Sequence, residues 1–116
     1  MINRSAIEEM FARARANYRW SIDAPCLWSF FFAGRDRTSL TAVGQALQAA
    51  GYRFAGLLEP TPQDDDQGLL FAHLERVETH TVDSLDARNR ELSKFAEQFE
   101  AIKYDGMDVG PVGGVA

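Results

Sequence analysis

Few side chains of this sequence are placed to do chemistry, and they are scattered. There are two histidines, His73 and His80, and one cysteine, Cys26. These three lack the close paired spacing of zinc ligands, so neither a metal nor a cofactor is expected. A lone cysteine allows no internal disulfide, and no cationic neighbour is evident to stabilise a thiolate, so Cys26 reads as an inert, partly buried thiol. His73 lies in an apolar stretch with no nucleophile beside it in sequence, and a structural histidine is the expectation. A pocket around His73 would favour the alternative, a small-molecule-binding or enzymatic domain. His80 is expected in solvent at a strand-to-helix corner, with Asp83 and Ser84 as helix-capping groups. The glycines form no phosphate-cradling loop, neither GxGxxG after a strand nor GxxxxGK[ST]. No catalytic set is assembled, and a non-enzymatic role is expected.

The sharpest charge cluster is Asp64-Asp65-Asp66. Its ligands do not alternate as in a calcium loop, so it reads as a solvated hairpin tip or as an acidic knob for a basic partner. The sequence carries 12 Lys and Arg against 17 Asp and Glu, a formal net charge of −5. Phosphate binding needs clustered cations, so direct nucleic-acid binding is not expected, and a protein partner with a basic surface is. The third strand, GLLFAHLERV, also lacks the basic residue and aromatic spacing of an RNA-recognition motif.

The elements that must position these residues follow from periodicity. Ile7, Met10, Phe11, Ala14 and Tyr18 give an amphipathic helix over Ser5 to Tyr18, with Ser5 and Glu8 as a capping box. Leu27 to Ala33 (LWSFFFA), between Pro25 and Gly34, is a strand with Trp28, Phe30 and Phe32 on one face. Its other face (Leu27, Ser29, Phe31) is also largely apolar, which predicts a central strand covered on both sides. A helix from Thr38 to Ala50 buries Leu40, Val43, Leu47 and Ala50, with Asp36 or Thr38 as its N-cap and Gly51 at the left-handed C-cap. Two strands, Arg53 to Glu59 and Gly68 to Glu78, form a hairpin across PTPQDDDQG. A helix from Val82 to Glu100 carries Leu85, Leu92, Phe95, Ala96 and Phe99 on one face. A last strand runs from Tyr104 to Val109.

The fold class is therefore α+β: a ferredoxin-like βαββαβ sandwich, a four-stranded antiparallel sheet with two helices on one face, preceded by an extra N-terminal helix. Residues 1–22 would be that amphipathic helix and a linker, 23–110 the ferredoxin-like domain and 111–116 a flexible tail. The N-terminal helix or a second subunit is the expected cover for the other sheet face, so a homodimer through the aromatic face or that helix is a further expectation. No stretch reaches the roughly 18 apolar residues of a membrane helix, so no membrane association is expected. Arg4, Glu8, Glu9, Arg13 and Arg15 stand where a secretory leader would be apolar, which points to the cytoplasm.

One segment resembles a known family. LDARNRELSKFAEQFEAIKYDGMDV, with Asp86-Ala87 opening a helix, Leu92, Phe95-Ala96-Glu97-Gln98-Phe99 and above all Tyr104-Asp105-Gly106, is similar to the C-terminal helix and closing strand of the RraB family, protein regulators of ribonuclease E. Weaker agreement runs through Leu40 to Tyr52, and the element order matches over residues 27 to 109. Met107 stands where a family member carries Trp, and the Gly-rich last residues lack that member's acidic extension. The resemblance implies a ferredoxin-like domain that binds and inhibits a ribonuclease by direct contact. It makes Tyr104, Asp105 and Gly106 candidate partner contacts beside Asp64, Asp65 and Asp66. The turn also has a purely structural reading: Gly106 permits positive φ, Asp105 bonds nearby amides, and Tyr104 packs its ring with the hydroxyl in water.

Overall fold

A computed structural model of the chain describes residues 3–59 and 68–113. The elements are α1 (Arg4–Asn17), β1 (Cys26–Gly34), α2 (Arg37–Ala49), β2 (Arg53–Leu58), β3 (Leu70–Glu78), α3 (Val82–Ala96) and β4 (Lys103–Gly110). The sheet order is β2-β3-β1-β4 with every neighbouring pair antiparallel, the ferredoxin-like arrangement behind an N-terminal helix. The loop carrying Asp64, Asp65 and Asp66 lies outside the described residues.

Local chemistry explains most boundaries. Asp36 caps α2 by accepting from the Thr38 N–H at 3.1 Å, and Gly51 takes φ +104° just past its end. Thr81 caps α3 in a reciprocal box: its hydroxyl accepts from the Ser84 N–H at 3.1 Å, while Ser84 Oγ accepts from the Thr81 N–H at 2.8 Å. The cap of α1 is Asn3, whose side chain accepts from the Ala6 N–H, and not Ser5. Glu8 faces Arg4 at 3.3 Å instead of closing a box. The helix α3 stops at Ala96, short of Glu100. The chain then turns through Glu97–Ala101, where Ala101 adopts φ +60°.

The core lies on one side of the sheet. Trp28, Phe30 and Phe32 of β1 are fully buried there, against Leu40, Val43 and Leu47 of α2 and Leu85, Leu92 and Ala96 of α3. Gly44 lets α2 approach the sheet: a Cβ at this position would fall 2.5 Å from the Phe54 ring.

The N-terminal helix buries its amphipathic stripe as expected but does not cover the other sheet face. It packs beside α3 on this same side, with Ile7, Phe11 and Ala14 buried and the Phe11 ring stacked on Trp28 at 6.3 Å. Tyr18 stays exposed. Among the described residues, no element lies over the Leu27, Ser29 and Phe31 face of β1.

Candidate functional site on the uncovered sheet face

Strand alternation turns a second set of side chains away from the helices, and register aligns them in four rows. Val77, Leu27 and Gly110 form the first, Arg53, Glu75, Ser29 and Asp108 the second. Gly56, His73, Phe31 and Gly106 form the third, and Leu58, Phe71, Ala33 and Lys103 the fourth. The face thus has an apolar row at one end and a row closed by Lys103 at the other, with a polar row and an aromatic row between them.

The two central rows interlock. His73 Nε2 lies 2.9 Å from Ser29 Oγ, and its ring stacks on Phe31 with centroids 4.9 Å apart and an interplanar angle of 19°. Glu75 Oε2 lies 3.8 Å from the same Nε2, and Glu75 Oε1 pairs with the Arg53 guanidinium. Gly56 and Gly106 flank the His73–Phe31 pair. Both sit at register shifts in the outer strands, with φ of +124° and +132°. Such bulges need the left-handed region that glycine reaches freely.

A serine, a histidine and a glutamate this close invite comparison with a nucleophilic triad. In such a relay the carboxylate holds the imidazole nitrogen opposite the one facing the hydroxyl. Here Ser29 and Glu75 both approach Nε2, so the relay geometry is not formed. Among the described residues, the cavities at the ends of the sheet and between the helices are lined without His73. Among the described residues no group of His, Cys, Asp and Glu is gathered to hold a metal ion.

The other candidates divide. Tyr104 turns inward: its hydroxyl donates to Asn89 Oδ1 at 2.6 Å, and burial pushes its pKa well above the usual phenol range. The hydroxyl expected in water is thus held by a fully buried asparagine of α3. Asp105 is the extra residue of the β4 bulge and is exposed at the mouth of a cleft of about 630 Å³ lined by Gly34, Ile102 and Lys103. Gly106 alone of the three joins the open face. Cys26 is buried, its thiol near the Ser21 and Ala24 carbonyl oxygens, and burial pushes its pKa up, as fits an inert group.

The second histidine also differs from expectation. His80 is buried under the helices, edge-on to Trp28 at 5.2 Å, with Nδ1 at 2.9 Å from Ser84 Oγ and Nε2 at 2.9 Å from Glu78 Oε1. Arg88 donates to Glu78 at 2.8 Å and to the Tyr52 hydroxyl at 2.7 Å. Arg76 approaches Glu78 Oε2 at 3.5 Å. This cluster joins β3 to α3 from inside the molecule.

Sequence reasoning does not single out Ser29, Arg53, Glu75 or Phe31 as one site, because they come from three strands. The available signal is the pair of isolated glycines, Gly56 and Gly106, since glycine inside a strand marks a bulge or a close approach.

A single sheet with the described helices on one side and a half-apolar, ion-paired face on the other makes a small α+β domain of the ferredoxin-like class. The sequence profile of the family described as Regulator of ribonuclease activity B (RraB) matches residues 5–109, and the chain belongs to that family. The family is one of regulators of ribonuclease activity. No curated protein matches the chain. Among the described residues, no helix is long and apolar enough to cross a membrane.

Proposed function

We propose that the chain regulates a cytoplasmic RNA-processing endoribonuclease of the ribonuclease E type by direct protein contact, and that the open sheet face is the contact surface. The observation that carries this reading is the face itself. Leu27, Phe31, Leu58, Phe71 and Val77 lie on the side opposite all three helices, around a compact polar centre. Exposed aromatic and aliphatic side chains set around a charged centre can exclude water from it on contact, as the surroundings of interface hot spots do. The net charge of −5 favours a basic partner surface.

Val77 and Leu58 are 53% and 46% exposed, so lysine at either should leave the fold intact. The double variant V77K/L58K is expected to bind the purified ribonuclease about tenfold more weakly or worse by calorimetry, a loss of roughly 1.4 kcal/mol. Unchanged affinity would remove the face from the interface. A wild-type protein that neither binds the ribonuclease nor changes its rate on an RNA substrate would remove direct contact.

Asp105 and the acidic run Asp64, Asp65 and Asp66 are proposed to add electrostatic attraction to this contact. Replacing the three consecutive aspartates with Asn should lower the association rate at low salt and flatten its salt dependence. Identical rates at two ionic strengths for both proteins would limit that segment to a solvated loop.

A further inference from the structure

We propose that the open face receives an arginine side chain of the partner, its guanidinium lying over the Phe31–His73 pair and bonding the Glu75 carboxylate in place of Arg53. This rests on the reading of that face as the contact surface, and it names the group that the surface recognises.

Glu75 is the unusual residue of the face. It is a carboxylate on the side of the sheet without helices, yet only 10% of its side chain is exposed, against 74% for its partner Arg53. A carboxylate taken this far from water needs a cation, because an uncompensated buried charge is costly. Arg53 supplies that cation from the outer strand β2, with most of its own side chain in solvent. Because Arg53 pairs from the solvent side, another cation can replace it without leaving the Glu75 charge bare at any point. Arg53 thus occupies the position that a partner cation would take.

The surroundings select a guanidinium over an ammonium. The His73 and Phe31 rings lie nearly parallel, and the register positions on either side are Gly56 and Gly106, which bring no side chain of their own to the outer faces of the two rings. Open space above Gly56 is direct: a Cβ there would meet nothing within 4 Å. A planar guanidinium gains by lying flat on an aromatic surface while its N–H groups reach a carboxylate at the edge, and a lysine ammonium cannot do both. Exposed Asp108 lies at the far end of the Glu75 row and adds to the negative potential along the path inward. The apolar rows of Leu27 with Val77 and of Leu58 with Phe71 would then exclude water around the pair, as rings of near-neutral contacts do around interface hot spots.

The test compares two variants against the purified ribonuclease. Glu75→Gln keeps the shape and removes the charge, and should weaken binding about tenfold or more. Arg53→Ala removes the internal competitor and should tighten binding several-fold. A merely structural Arg53–Glu75 pair would have the opposite consequence. Unfolding midpoints check that both variants fold, and exposed Arg53 gives a decisive variant even if Glu75→Gln does not. Acetyl-arginine-amide, titrated by NMR, should shift the Phe31 and His73 ring resonances more than acetyl-lysine-amide does. Arg53→Ala binding as well as wild type, or more weakly, overturns the displacement. If V77K/L58K weakens binding while Glu75→Gln does not, the face is the interface but arginine recognition is wrong. If neither weakens binding, the interface reading itself falls.

Discussion

Glu78→Ala is expected to lower the stability of this fold by about 3–5 kcal/mol, the usual cost of removing one member of a buried charge cluster. The carboxylate stands between His80, Arg88 and Arg76, with only 11% of its side chain exposed. Its loss leaves two guanidinium groups and an imidazole facing one another beside the Tyr52 ring. Burial alone would raise the carboxyl pKa, but hydrogen bonds from His80 and Arg88, with their charges, outweigh it and hold the group below the ordinary range. A carboxyl whose folded pKa is depressed adds stability above its unfolded pKa and loses it as pH falls through the folded value. The gap between wild type and Glu78→Ala in thermal unfolding should therefore be full at neutral pH and narrow below about pH 4.5. A gap that stays constant down to pH 3 would mean that alanine removes packing and not charge.

Phe11→Ala is expected to cost about 3–4 kcal/mol, in the range for large core aromatics. Phe11 is fully buried against Trp28, which in turn packs edge-on to His80, so α1 reaches the same interior as α3. Arg15 closes the outer side of the ring at 5.4 Å. In urea, one transition should move to lower denaturant with an unchanged slope, the behaviour of a single cooperative unit. A separate early transition for α1 would instead make it an appendage to an independent sheet domain.

The order of elements is legible because glycine and proline punctuate it. Pro25 and Gly34 bound β1, and Gly51 ends α2 in the conformation that its position demands. The extent of α3 is less legible. Phe99 continues the apolar spacing of Phe95 and so reads as helix, yet the chain leaves the helix after Ala96 and still packs Phe99 against Phe95 at 5.3 Å. Periodicity reports which residues touch the core, not the backbone path between them.

The side on which α1 packs is illegible for a related reason. An amphipathic stripe states that one face is buried and says nothing about the layer that buries it. The Leu27–Phe31 face of β1 looks like a second core surface, because the sequence does not reveal that Phe31 finds cover in the plane of the sheet, on His73. Asn89 and Asp86 look like surface residues of a polar helix. Asn89 is held by a partner distant in sequence, Tyr104, while Asp86 pairs with Arg90 one turn along the same helix. The carboxylate at the centre of the open face depends in the same way on a register joining β2, β3 and β1.

The bulges at Gly56 and Gly106 have a consequence for solubility inside a crowded cell. A sheet with a sticky face and two regular outer strands would invite end-on growth into fibres, each copy extending the last. Here both outer strands are interrupted midway, and the one bearing Gly106 also carries Lys103, Asp105 and Asp108. A strand arriving at either margin would find the hydrogen-bonding ladder out of step within a few residues. The two margins of the sheet therefore give its own copies no regular edge to extend.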